Sequence, residues 1–219
     1  MDIEFIRKYI PLYVAAGELT LRIAVIGIIG SILVGLVCSL IRYYKLPVLR
    51  RIIGIYIELS RNTPLLIQLF FLYFGLPKAG VVLSSEACAI TGLIFLGGSY
   101  MAEAFRSGLE AVQKNQIEAG LSLGLTRFQV VRYVLMPQAI SISVPAFSAN
   151  VIFLIKETSV FSAVALADLM YVAKDLIGLY YKTNEALLML VIAYLIILLP
   201  ISILFSLVER KLRYAGFGN

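Results

Sequence analysis

The chain contains no histidine, no tryptophan and only two cysteines among its 219 residues. Without histidine there can be no imidazole metal ligand, no imidazole general base and no Ser-His-Asp triad, so an intramembrane hydrolase would need another base. Cys38 and Cys88 both fall in or beside apolar runs and read as small packing residues, not as a disulfide. Charged residues make up 15% of the chain, against about a quarter in a soluble domain, too few to solvate a globular surface. No G-x-x-x-x-G-K-[ST] sequence is present, which excludes ATP hydrolysis by a Walker-type site in this chain. Nothing reads as an internal repeat, a low-complexity tract, a metal site or a separate soluble domain.

What the chain has is apolar length. Hydrophobic residues make up 61%, and mean hydropathy is +0.94. Burial in a bilayer accounts for both. The uncharged runs Ile23–Ile41, Asn62–Pro77, Ala87–Ala102, Tyr133–Ile155 and Ala186–Val208 predict about five transmembrane helices. The second and third runs fall short of about 20 residues and must borrow flanking residues or sit among other helices. Ile23–Ile41 exceeds a signal h-region and lacks a small-residue cleavage site, so it is expected to stay in the protein. Residues 1–16 place Ile3, Ile6 and Ile10 at helical spacing opposite Glu4, Arg7 and Lys8. That pattern predicts an interfacial N-terminal segment lying on the membrane and ending near Pro11.

The formal net charge of +6 would suggest nucleic acid in a soluble protein. Here the charges sit in short loops, so they read as an orientation signal and no nucleic-acid partner is expected. Arg42, Lys45, Arg50, Arg51, Arg106, Lys114, Arg127, Arg132, Arg210, Lys211 and Arg213 fall on one side, eleven against five opposite (Arg7, Lys8, Lys78, Lys174 and Lys182). The positive side is cytoplasmic, which places the N-terminus outside and the C-terminus inside. The longest cytoplasmic connection, residues 104–136, is polar and helix-forming, the one candidate docking element for a cytoplasmic partner.

That connection reads Glu118-Ala119-Gly120-Leu121-Ser122-Leu123-Gly124, then nine residues, then Val134-Leu135-Met136-Pro137. A short helix of small residues can seat closely in a groove of another protein, Gly124 allows the following turn, and Pro137 tolerates a helix start. The motif resembles the E-A-A, three residues, G, nine residues, I-x-L-P loop of ABC-importer permeases, with Gly120, Val134 and Met136 as its departures. Gly120 should loosen its helix by up to about 1 kcal/mol relative to Ala. The resemblance implies that Glu118, Ala119, Gly120 and Gly124 couple the chain to an ATPase.

Three further segments resemble the polar amino acid branch of that family. Glu58-Leu59-Ser60-Arg61-Asn62-Thr63-Pro64-Leu65-Leu66-Ile67-Gln68 is similar to E-x-x-R-G-T-P-L-L-x-Q, with Asn62 for Gly. Thr63 suits an N-cap and Pro64 a first helical position, and Glu58 and Arg61 can pair at i,i+3 near the cytoplasmic face. Gln68, one turn into an apolar helix, must either bond a neighbouring helix or face a polar cavity. Ser99-Tyr100-Met101-Ala102-Glu103-Ala104-Phe105-Arg106-Ser107-Gly108 is similar to A-Y-x-A-E-x-x-R-x-G; its Glu103 and Arg106 read as a surface pair, and Ser99 is a candidate lining residue. Asn150 through Ser159 contains Leu154-Ile155-Lys156-Glu157-Thr158-Ser159, similar to L-x-K-[ED]-[TS]-S. Lys156 and Glu157 lie between two apolar stretches, where an ionisable pair must be paired or face water. Lys156 could hold an amino acid's α-carboxylate, and Glu157 could balance Lys156 or bind the α-ammonium; a snorkelling pair at the outer membrane edge is the structural alternative.

The resemblance also bears on specificity. In cation-selective members an acidic residue stands where this chain has Asn150, whose amide would leave a guanidinium or ammonium unpaired. Asn150 and Lys156 lie roughly 240° apart on an ideal helix, so both can touch one ligand only if the helix kinks or unwinds between or beside them, with Pro145 as a starting point.

The reading is therefore an all-α integral membrane protein, a single transmembrane permease domain over 1–219 of the type I ABC-importer fold, in a prokaryotic inner membrane. It implies a subunit of an ATP-driven importer of polar amino acids, neutral or zwitterionic, with cystine or glutamine favoured. Substrate contacts would come from Asn150, Lys156, Glu157, Thr158, Gln68 and Ser99. The implied partners are an ABC ATPase that binds ATP and Mg, an extracytoplasmic amino-acid-binding protein, a second permease copy and the bilayer, with no cofactor in this chain. The alternatives are a secondary transporter or channel subunit, for which the Glu118 loop would be incidental, and an intramembrane enzyme, for which the chain offers few converging polar groups.

Overall fold

The computed structural model describes residues 1–44 and 46–216, with side chains through Leu212; Lys45 and the Arg213 side chain, both counted above, lie outside the described residues. The described chain is helical throughout, with four helices long and apolar enough to cross a membrane: Ile3–Tyr43, Ser85–Ala111, Arg127–Val164 and Thr183–Leu212. A shorter apolar stretch, Leu65–Ala79, accompanies them.

Helix α1 (Ile3–Tyr43) is opened by Asp2, whose carboxylate accepts from the Phe5 N–H at 3.0 Å. Its 41 residues reach about 60 Å, roughly twice a bilayer's hydrocarbon thickness. The break expected near Pro11 does not occur: Pro11 lies inside the helix, and residues 3–16 continue into the span. Tertiary contacts hold this half straight. Phe5, Tyr13 and Ala16 pack against Leu169, Val172 and Leu176, and the Tyr13 hydroxyl donates to the Ala186 carbonyl at 2.7 Å. At the tip, the Asp2 N–H donates to Glu185 at 2.9 Å and Lys182 lies 3.1 Å from the Asp2 carboxylate. The Phe5 N–H and then Lys182 hold the Asp2 carboxyl below its ordinary range.

Helix α1 packs parallel to α4 (Ser85–Ala111), with contacts advancing from Arg22–Glu86 to Arg42–Glu103 along both helices. Gly27 and Gly35 make this approach possible, since a Cβ at either would lie 2.5 Å from Leu93 or 2.4 Å from Met101. Ion pairs tie the two helices at both ends, Arg22 to Glu86 at 2.8 Å and Arg42 to Glu103. Arg22 and Arg42 stand about 30 Å apart along α1, the thickness of the hydrocarbon core. Midway between them the Ser31 hydroxyl donates to the Leu93 carbonyl at 3.1 Å. The levels of Ser31 and of Leu93 to Phe95 thus mark the centre of the membrane.

The stretch expected as the second span, which is not among the four long apolar helices, differs from the run read in the sequence. It begins at Pro47 with α2 (Pro47–Arg61), breaks over Asn62–Pro64, resumes as α3 (Leu65–Phe70), and ends in a π turn (Phe71–Gly75) and a 3-10 turn (Leu76–Ala79). Ile53, Ile57 and Ser60, spaced i, i+4 and i+7, form the buried face of α2. The Tyr56 and Ser60 hydroxyls donate to the Phe95 carbonyl at 2.7 and 2.9 Å. The break therefore lies at the membrane centre, not at its surface.

After α4 come α5 (Lys114–Ser122) and α6 (Arg127–Val130), which runs through a π turn (Val131–Leu135) into α7 (Met136–Glu157). The helix expected to start at Pro137 starts ten residues earlier, where Thr126 and Gln129 form a capping box. The π turn precedes Pro137, whose missing N–H deprives the Tyr133 carbonyl of its α-helical partner. A 3-10 turn (Thr158–Val164), α8 (Leu169–Tyr180) and α9 (Thr183–Gly216) complete the chain. Ile23, Leu65, Leu69, Leu93, Leu154 and Phe161 form the central core, and the two cysteines are buried and free.

Candidate functional site

The break in the second span is a built feature. Pro64 has no N–H to give the Ser60 carbonyl four residues back. Gln68 provides one: its Nε2 donates to Ser60 O at 3.0 Å and Thr63 O at 2.9 Å. Gln68 is buried and its Oε1 has no partner among the described residues. Its side chain borders a cavity of about 440 Å³ lined by Leu59, Thr63, Ile67, Phe71 and Phe95. Thr63 does not cap α3; its hydroxyl donates to Leu59 O at 2.8 Å, and Pro64 occupies the N-cap position. Nor do Glu58 and Arg61 pair. Asn62 Nδ2 donates to the Glu58 carbonyl at 2.8 Å and its carboxylate at 3.2 Å, while the Arg61 guanidinium lies 5.2 Å over the Tyr100 ring.

Ser99 is fully buried where α2 meets α4. It accepts from the Ser60 hydroxyl at 3.0 Å and donates to Leu96 O at 2.7 Å, so it joins two helices. Thr158 is buried as well, donating to Ile155 O at 2.7 Å and lying 3.4 Å from the Tyr194 hydroxyl.

The remaining α7 residues keep exposed surface. Asn150 is half-buried, and its Nδ2 donates to the Tyr100 carbonyl at 3.1 Å. Leu154 packs on Gly97, where a Cβ would meet it at 2.7 Å, and this contact sets Lys156 and Glu157 within about a turn of the membrane centre. They are not a snorkelling pair at the membrane edge. Lys156 is exposed, Glu157 is half-buried, and neither is in an ion pair among the described residues. Helix α7 stays regular through Glu157 despite Pro145, and unwinds to a 3-10 turn only at Thr158. The structure thus does not bring Asn150 and Lys156 onto one face.

The 104–136 connection forms a helix–turn–helix. Gly124 takes φ 83°, a left-handed conformation that favours glycine, between α5 and the Thr126 cap. Gly120 is buried against Val130, with only 3.1 Å available for a Cβ. It serves close packing. Glu118 and Ala119 are exposed, and so are Leu123 (84%) and Phe128 (73%). Glu103 clamps the base of this element, with Arg106 at 2.7 Å and Arg42 on its other side.

These features have counterparts among known proteins. Residues 27–214 match the family described as "Binding-protein-dependent transport system inner membrane component". The chain is 35% identical over 215 residues to the "Probable amino-acid permease protein YxeN" of Bacillus subtilis, covering 97% of this chain and 96% of that protein. It is 31% identical over 206 residues to the "Glutamine transport system permease protein GlnP" of Escherichia coli K12, covering 93% and 94%. A solved structure described as "Crystal structure of an amino acid ABC transporter with histidines" superposes with a TM-score of 0.90 at 32% identity, over 96% of this chain and 99% of that one. The chain belongs to this family of inner-membrane permease subunits of ABC transporters. It is a transport subunit, not an enzyme; ATP hydrolysis belongs to a partner ATPase, and the family also implies a substrate-binding protein.

Proposed function

We propose that the chain is the permease subunit of an importer for a neutral or zwitterionic polar amino acid, of glutamine or cystine type, driven through its 104–136 connection. The observation that carries this reading is the α5–α6 element. It is fixed from within by Gly120 and the Thr126 capping box, yet Leu123 and Phe128 stand bare on its outside. Exposed apolar side chains on a rigid projection suit a groove on a cytoplasmic ATPase, with Glu118 beside them. The glutamine-type names of relatives support the substrate class. The basic residues at this end support a cytoplasmic assignment, with the N-terminus outside.

The charges of α7 argue for a second copy. Exposed Lys156 and half-exposed Glu157 near the membrane centre cannot face lipid without a large cost. A second permease enclosing a watered path along α7 removes that cost: Lys156 and Glu157 face the water, and Asn150, elsewhere on the helix's circumference, meets the substrate. Gln68, Ser99 and Thr158 support that path from behind, bracing the backbone next to it.

Glu118→Lys tests the coupling. The variant should assemble in the membrane, because Glu118 is exposed, but uptake into proteoliposomes should fall at least about tenfold as the reversed charge opposes the ATPase surface. Uptake at the wild-type rate would remove the loop from the mechanism.

A further inference from the structure

Arg61 is the remaining exposed cation near the membrane centre, and the α7 path alone gives it no role. It closes α2 at the break, one residue past Ser60, which is bonded at the level of Phe95. Among the described residues Arg61 enters no ion pair. Its natural helical partner Glu58 is turned to Asn62. The Arg61 guanidinium carbon lies 5.2 Å from the Tyr100 ring centroid, a cation–π contact, and among the described residues its N–H donors enter no hydrogen bond. Tyr100 in turn connects Arg61 to α7. Its carbonyl accepts from Asn150, and its ring centroid lies 5.1 Å from that of Phe153. With Nδ2 so engaged, the Asn150 amide is oriented, and its Oδ1 has no partner among the described residues.

An unpaired guanidinium at this depth is costly until an anion meets it, and its fork matches a carboxylate with two parallel hydrogen bonds. We propose that Arg61, held on Tyr100, binds the α-carboxylate of the amino-acid substrate, while the free oxygen of Asn150 accepts from the substrate's side chain. This assignment rests on the importer reading above and gives the carboxylate a ligand which that reading lacked. Lys156 and Asn150 stand on different faces of α7, because six residues of unbroken helix turn through roughly 240°, about 120° the shorter way round. Arg61 reaches Asn150's surroundings through a single aromatic ring. The helix break lets α2 end there, so the arginine leaves its own helix and faces the path.

The test is equilibrium binding of L-glutamine to the purified permease–ATPase complex without binding protein, in competition with L-glutamine α-amide, which lacks the carboxylate. The wild-type complex should prefer glutamine by about 100-fold, the scale of one charge-assisted bidentate pair. Arg61→Ala should weaken glutamine binding by a similar factor and bind the two compounds equally. Arg61→Lys keeps the charge but not the fork, and should lie between, about tenfold weaker with part of the preference retained. Arg61→Ala binding glutamine at wild-type affinity, still rejecting the α-amide, would overturn the assignment. If that variant does not assemble, wild-type affinity and preference in Arg61→Lys overturn it instead. A wild-type complex that binds no amino acid at all contradicts the importer reading itself, whatever the variants do.

Discussion

Pro64 lacks an N–H, and Gln68 replaces it from one turn further along the chain. This exchange keeps a span intact across a break at the membrane centre, where an unpaired carbonyl has no water to turn to. Gln68→Leu removes both donors and leaves the Ser60 and Thr63 carbonyls without them, at a cost of about 2 kcal/mol. The Tm of the detergent-solubilised protein should drop by roughly 5 °C; an unchanged Tm would mean that another group satisfies the break. Asp168 presents the opposite case. It caps α8 through the Tyr171 N–H at 2.9 Å, yet it is fully buried, with one oxygen unpartnered among the described residues. Burial pushes its carboxyl up from 3.8 to about 6, outweighing the N–H groups that favour the anion. The folded state therefore holds this proton more tightly than the unfolded chain. The group's contribution is most favourable below pH ~4 and is lost as pH rises through about 6, by about 3 kcal/mol in all. Asp168→Asn keeps a capping oxygen without the charge. Its Tm should match wild type at pH ~4 and exceed it at pH 8, and a wild-type advantage at pH 8 would reverse the argument.

At the scale of elements, the sequence made the long spans and the helix–turn–helix within 104–136 legible because their signals are local. Uncharged runs mark α4, α7 and α9, and the Glu118–Gly124 spacing marks the turn. It hid the second span because hydropathy counts charges and cannot see their partners. Arg50, Arg51, Glu58 and Arg61 made α2 look like a surface loop, whereas Tyr56 and Ser60 anchor it to Phe95. The i, i+4, i+7 pattern of Ile53, Ile57 and Ser60 was the one available signal. Pro11 misled for a related reason: a proline stops an isolated helix, but contacts with α8 and α9 carry α1 through it. In the candidate site, the sequence named Asn150, while Arg61's contact with Tyr100 depends on two segments meeting and could not be read from either. The coupling turn offers its own test. Gly124→Val places a β-branched residue at φ 83°, a strain of about 1–2 kcal/mol, with nothing nearby to clash. The variant should remain in the membrane, with its ratio of transport to ATP hydrolysis reduced several-fold; an unchanged ratio would mean that the turn's angle does not matter for coupling.

For the whole molecule, the ion pairs Arg22–Glu86 and Arg42–Glu103 bracket one hydrocarbon thickness, and the polar residues of α2 and α7 lie between them. Orientation follows from which end is basic. Cysteines placed at Val82 and Leu123, both highly exposed, report on opposite ends, and the native Cys38 and Cys88 are buried. A membrane-impermeant maleimide applied to intact cells should label Val82→Cys and not Leu123→Cys; the reverse pattern would invert the topology. The central claim is that this chain links amino-acid passage to ATP hydrolysis in a separate subunit. The most direct measurement is the ATP hydrolysis rate of the complete complex in proteoliposomes, with binding protein present, as glutamine, cystine and arginine are added in turn. A severalfold rise with glutamine or cystine, none with arginine, and no rise in the Glu118→Lys complex is the expected result. Hydrolysis indifferent to every amino acid, or uptake that proceeds on an ion gradient without ATP, would contradict the account.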